Sequence, residues 1–205
     1  IKYLFLSKNK EGKKIGIIGA GASAFDAAAV ALESGASCVE MIIRRSAVPN
    51  VNKYYKFFHL GFLHGFSFLL DEEKWQLFNY VASYGAPPPT DVLQRVNGYP
   101  NFYFHLNTSI NNAYEKNREI ILETNKGRLN YDFLILGTGF SVDSTQRPEL
   151  HLIEKEILLW KDKLPTETWK QFPQSALFPY LGPHFEKIKK KEGDAPYLKH
   201  IYCFN

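Results

Sequence analysis

The run Lys14–Asp26, KIGIIGAGASAFD, decides how the rest of the chain is read. Its β-branched residues Ile15, Ile17 and Ile18 form a short apolar strand pattern. Ala22–Glu33 then reads as a helix with Phe25, Ala29 and Leu32 on one face. Between strand and helix stands Gly19-x-Gly21-x-x-Ala24. Strand, glycine-rich turn and helix in that order make the unit that holds a dinucleotide pyrophosphate. Gly19 permits the tight turn, Gly21 lets backbone amides approach phosphate oxygens, and Ala24 keeps helix and strand close. Gly19, Ala20, Gly21, Ala22, Ser23 and Ala24 are therefore the candidate phosphate-binding set, at the positive end of the helix. Gly35 stands where a left-handed helix cap belongs, and Cys38–Ile43 follows as the next parallel strand.

The end of that second strand selects the nucleotide. NAD-binding units place an Asp or Glu there to accept from the ribose 2′-OH, whereas this chain has Arg44, Arg45 and Ser46. A carboxylate repels a 2′-phosphate and a guanidinium holds it with paired, charge-assisted bonds, so NADP(H) is the expected cofactor.

The chain has 205 residues, 45% hydrophobic and 22% charged, enough for one α/β domain and an appendage. A net charge of +4 suits an anionic cofactor, and basic residues are not clustered beside aromatics as nucleic-acid binding requires. Cys38 and Cys203 form no metal or CxxC spacing, which points to a reduced, cytoplasmic setting and no metal site. The first residue is Ile1, the one Met is Met41, and the end, HIYCFN, falls inside an apolar run. The chain therefore reads as a piece of a longer polypeptide.

Phe57–Leu70, FFHLGFLHGFSFLL, is too short to span a bilayer and lacks a basic partner face, so it is expected to pack inside or against another domain. His59 and His64 are spaced poorly for a shared metal. Asp71 is placed to cap a following helix with Trp75, Phe78 and Ala82 on one face, stopped by Gly85 and Pro87–Pro89. Thr90 is placed to cap a short helix through Val96. Residues 50–100 thus form an insertion between strands. Beyond Asn101 the pattern turns to β: Phe102, Phe104 and Leu106 alternate, and Glu119–Thr124 turns at Asn125-Lys126-Gly127 into Arg128–Tyr131. Phe133–Leu136 reads as a strand buried on both faces, ending in Gly137-Thr138-Gly139, where a close backbone or cofactor approach is expected. Pro148–Lys163 reads as an amphipathic helix, Lys187–Lys191 as a solvated helix end, and Tyr197–Phe204 as a closing strand.

IIGAGASAFDAA, the RRS after it and the distant YDFLILGTGF together resemble the NADP-binding half of flavin-dependent monooxygenases. More broadly they resemble the flavoproteins with two dinucleotide-binding domains, which include the disulfide reductases. The resemblance covers roughly residues 12–46 and 118–143. It implies 2′-phosphate contacts from Arg45 and Ser46. It also implies that Leu136–Gly139, with Gly137, Thr138 and Gly139, marks the crossing back toward an FAD domain. The family's FAD-binding GxGxxG, its aromatic-Gly-x-x-x-His fingerprint and any CxxC are not in this chain.

The expected fold is α/β, a three-layer Rossmann-like dinucleotide-binding domain with a β-meander and a C-terminal helical or loop extension. Its divisions are residues 1–140, with the insertion at about 50–100, and 141–205. The resemblance implies NADPH bound here, FAD held mainly outside this chain in the same longer polypeptide, and oxygenation of a small organic substrate. No residue stands out as a general acid or base. The alternatives are a non-catalytic NADP(H)-sensing module and a flavoprotein reductase without oxygenase activity. A flavin-free dehydrogenase would need Tyr-x-x-x-Lys, which Tyr131 and Tyr180 do not supply.

Overall fold

The structure, a computed structural model, describes residues 11–52, 55, 59–84, 86–139, 143–190 and 195–203. Phe57, Phe58, Gly85, Phe140, Lys191 and Phe204, which figure in the sequence expectations, lie outside the described residues, as do residues 1–10. The chain divides into two compact units, residues 1–55 with 84–139 and residues 56–83 with 140–205.

The first unit has three layers. Strands β1 (Lys14–Ile18), β2 (Cys38–Ile42), β3 (Phe102–His105) and β7 (Phe133–Leu136) form a parallel sheet in the order β3-β2-β1-β7. Alternation assigns the faces. Ile15, Ile17, Val39, Met41 and Ile43 pack with helix α1 (Ala22–Glu33), where Ala24, Phe25, Ala28, Ala29 and Leu32 are buried. Val92 and Val96 of α4 (Thr90–Asn97) join the same core. Burying Phe25 or Leu32 contributes about 1.5–3 kcal/mol each, and the small alanines let the helix lie close to the sheet. The helix ends in a left-handed cap: Gly35 has φ +80, its N–H donates to Leu32, and Ala36 N–H donates to Ala31. Expectation and structure agree there.

On the opposite face lies the meander, β4 (Ile110–Lys116), β5 (Glu119–Thr124) and β6 (Gly127–Tyr131), an antiparallel sheet in that order. Asn117 and Arg118, both at positive φ, make the first hairpin turn, and Asn125-Lys126 makes the second. Leu122 and Tyr131 pack against Ile42, with Ile18 alongside. Tyr131 lies over Gly16, where an added Cβ would come within 2.7 Å of its ring. Its hydroxyl donates to Glu40 at 2.7 Å. Glu40 also meets Lys14 Nζ at 3.0 Å, His105 Nε2 at 2.8 Å and the Cys38 thiol at 3.5 Å. A charged knot thus ties β1, β2, β3 and β6 together beneath the sheet.

The second unit contains α2 (Leu60–Gly65), α3 (Asp71–Ser83), α5 (Trp160–Lys163) and α6 (Thr166–Trp169). Trp75 of α3 is buried against Leu164 and Ala176, with its ring 5.7 Å from that of Trp160. That aromatic contact groups residues 56–83 with the C-terminal residues, while α4 stays with the parallel sheet. The segment read as one insertion is therefore split.

Several local expectations are corrected. Asp71 does not cap α3; Glu73 receives the Leu70 N–H at 2.8 Å, and Asp71 accepts the Tyr180 hydroxyl at 2.6 Å. Pro89, not Thr90, holds the cap position of α4. Leu60, Leu63, Phe68 and Leu70 are exposed, so the described part of the apolar run is not interior. β7 is the sheet's edge, leaving Phe133 and Leu136 partly open and only Ile135 buried. Pro148–Lys163 is a series of short turns around Pro148–Leu150, Glu154–Glu156 and α5. Ile157 and Leu159 bridge instead to Lys189 and Pro179. Lys187 is buried in a bridge to Leu181 rather than ending a helix, and Pro196–His200 is a 3-10 turn. No helix among the described residues is long and apolar enough to cross a membrane.

Candidate nucleotide-binding site

The carboxyl ends of β1 and β2 meet at the glycine-rich turn. Gly19 N–H donates to the Ile42 carbonyl at 3.1 Å, and Gly137 N–H donates to the Ile18 carbonyl at 2.8 Å. The start of the turn is thereby fastened to β2, and the chain leaving β7 to the end of β1. The chain order reverses at β1, with β2 and β3 on one flank and β7 on the other. Crevices that take nucleotides form at such a reversal, outside the carboxyl ends of the strands.

The glycines divide into two kinds. Gly19 has φ +131, and a Cβ there would stand 2.2 Å from the Gly137 carbonyl oxygen. Gly137 is hemmed in turn, since a Cβ would lie 2.6 Å from that of Ala24. Protein packing demands both. Gly21 differs: its φ is −85 and an added Cβ would meet nothing within 4 Å. Its missing side chain leaves open space at the helix start. Thr138 and Gly139 follow β7 and are exposed, with Gly139 at φ +90.

Helix α1 starts with its donors uncommitted to side chains. Gly21 is the N-cap, no side chain bonds there, and the first turn has no acidic residue. The first bonds of the ladder run from Ala24 and Phe25 to the Gly21 carbonyl, at 3.0 and 3.2 Å, so the Ala22 and Ser23 amides precede it. Asp26 lies in the second turn, half-exposed and 3.8 Å from Arg95, and takes no part in the helix start.

Arg44, Arg45 and Ser46 are exposed directly beyond β2. Their backbone is held by the chain leaving β3: Asn107 N–H donates to the Arg45 carbonyl at 2.9 Å, and Thr108 N–H to the Ile43 carbonyl at 3.0 Å. The sequence reading missed this support, because nothing in NTSI announces a partner so distant in the chain. It also missed the Glu40 knot, for which a lone carboxylate inside the apolar strand CVEMI was the available signal. Burial alone would raise the Glu40 pKa, but bonds from Tyr131, Lys14 and His105 outweigh it and hold the carboxyl down at about 2. The same burial and bond push the Tyr131 phenol well above its ordinary value. Among the described residues no group of three His, Cys, Asp or Glu is placed to hold a metal.

No family model matches the chain. It is 33% identical over 194 residues, 95% of its length, to an FAD-dependent urate hydroxylase of Xanthomonas campestris, and spans 41% of that relative. Over that stretch the chain is similar in sequence to a flavin-dependent hydroxylase and spans less than half of that relative's length. Its fold is that of L-lysine 6-monooxygenase from Pseudomonas syringae, with a TM-score of 0.62 at 13% identity over 87% of this chain and 44% of that one. Ornithine hydroxylase from Pseudomonas aeruginosa, in its reduced form, gives 0.58 at 21% identity over 87% and 43%. At those identities the two solved structures speak to the α/β dinucleotide-binding architecture alone.

Proposed function

We propose that this chain is the NADPH-binding part of an FAD-dependent monooxygenase, with the FAD domain elsewhere in the same polypeptide. The reading is carried by one observation: the glycine-rich turn is bonded to the end of β2 immediately before Arg44-Arg45-Ser46. Open space at Gly21 and amides free of side-chain caps fit a diphosphate. Two guanidinium groups with a hydroxyl fit a 2′-phosphate. When bound, the nicotinamide supplies a hydride to the flavin, and the reduced flavin supplies electrons for oxygenation by O2.

The chain's own residues orient and bind. The Gly21, Ala22 and Ser23 amides receive the diphosphate, Arg44, Arg45 and Ser46 hold the adenosine end, and Gly137, Thr138 and Gly139 border the crevice. The substrate is a small organic molecule. A cytoplasmic setting fits the free thiols of Cys38 and Cys203.

The natural full-length protein is expected to be yellow and to lose its flavin absorbance on anaerobic addition of NADPH. A colourless protein that takes up no FAD refutes the flavoenzyme reading. Arg45→Glu is expected to weaken NADPH binding by about 1–3 kcal/mol and to leave NADH nearly unchanged, because attraction to the 2′-phosphate becomes repulsion. Equal parent affinities for NADPH and NADH would refute the cofactor assignment.

A further inference from the structure

The turn after β3 and the turn between β5 and β6 are bonded into a single support under Arg45. Asn107 sits at φ +50, in the left-handed region, and from there its N–H reaches the Arg45 carbonyl at 2.9 Å. Asn125 grips the same turn three times. Its Nδ2 donates to the Asn107 carbonyl at 3.1 Å, its Oδ1 accepts from Ser109 N–H at 2.9 Å, and its own N–H donates to the Ser109 carbonyl at 3.1 Å. Exchanging the side-chain O and N would set donor against donor and acceptor against acceptor, so the network fixes the amide's orientation. Lys126 Nζ adds a bond to the Leu106 carbonyl at 2.5 Å, and buried Thr108 adds another through Oγ1 at 3.0 Å.

We infer that Asn125 and Asn107 are positioning residues for cofactor selection: the β5–β6 turn pins the backbone of Arg45 and so presets its reach to a 2′-phosphate. The inference rests on the reading of Arg44–Ser46 as the 2′-phosphate site. Guanidinium groups on a fixed backbone lose less conformational freedom on binding than the same groups on a loose one. NADH has no 2′-phosphate and makes no use of the support. The meander, remote from the glycine-rich turn in sequence, thereby becomes a specificity element.

Calorimetric titration of the natural full-length protein with NADPH and with NADH tests this. Asn125→Ala is expected to weaken NADPH roughly tenfold and to change NADH by less than about twofold. Asn107→Val, β-branched and averse to positive φ, should act the same way, whereas Asn107→Gly accepts that φ and should keep the preference. If Asn125→Ala does not fold, the Asn107 pair reads the same bond. Equal weakening of both nucleotides, or an unchanged preference in Asn125→Ala and Asn107→Val, overturns the inference. A parent with no NADPH preference overturns the 2′-phosphate reading and the inference with it, and is recognised before any substitution is made.

Discussion

Gly19→Ala is expected to destabilise the sheet-and-helix unit by about 3 kcal/mol, lowering its melting temperature by roughly 10 °C, and to abolish NADPH binding with it. Two penalties add. At φ +131 an L-residue is strained, and the new Cβ would stand 2.2 Å from the carbonyl oxygen of Gly137. A backbone oxygen cannot rotate aside as a side chain does. Nor can Gly137 retreat, because its N–H is bonded to Ile18 at 2.8 Å and Ala24 presses on its other side. Gly21→Ala supplies the contrast. Its φ is ordinary and its Cβ meets no protein atom, so stability should stay within about 0.5 kcal/mol while NADPH affinity falls. Melting curves and nucleotide titrations on the two variants separate a glycine required by packing from one required by the ligand. A Gly19→Ala protein that melts with the parent would contradict the packing argument.

That contrast also marks how far the sequence could be read. The strand, glycine-rich turn, helix and left-handed cap around residues 14–35 were legible because each rests on local chemistry: period, backbone freedom and capping. The β5–β6 hairpin was legible for the same reason, from its Asn125-Lys126-Gly127 turn, whereas β4 was not read and β3, read with the β run, joins the parallel sheet. The failures lie where distant partners decide. Leu150, Ile153, Ile157 and Trp160 have helical spacing, yet Leu158 N–H bonds to Ile188 and Tyr180 N–H to Leu158, drawing the segment out into bridges. Asp71 has the chemistry of a cap, but Tyr180, far along the chain, claims its carboxylate and Lys163 approaches it at 3.5 Å. Burial raises the Tyr180 phenol first, and the bond to Asp71 lifts it further, to about 12. The candidate site divides along the same line. The residues that would touch the cofactor stood in recognisable strings, whereas those that brace them, Asn107 and Asn125, are ordinary turn residues until the fold brings them together.

Acid is expected to loosen the first unit through Glu40, and Glu40→Gln should remove most of that dependence. The carboxyl is only 12% exposed and is held at about 2 instead of its ordinary 4.5. A carboxylate whose folded pKa is depressed contributes fully above its unfolded value. That contribution, on the order of 3 kcal/mol here, then fades as pH falls from about 4.5 through about 2. Glu40→Gln keeps the shape and gives up the charge, so it should lower stability at neutral pH by a similar amount and flatten the acid slope. Glu40→Ala should do more damage, because it leaves Lys14, His105 and the Tyr131 hydroxyl without their common acceptor. The measurement must read the right unit. Trp75, Trp160 and Trp169 all lie in the second unit, so indole fluorescence is not a probe placed in the first. Amide exchange at Val39 and Met41, whose strand carries Glu40, reports it directly. Protection at those amides should drop between pH 5 and pH 3 in the parent and change little over that range in Glu40→Gln. Parallel losses in the two proteins would mean that the knot under the sheet is not what acid unties.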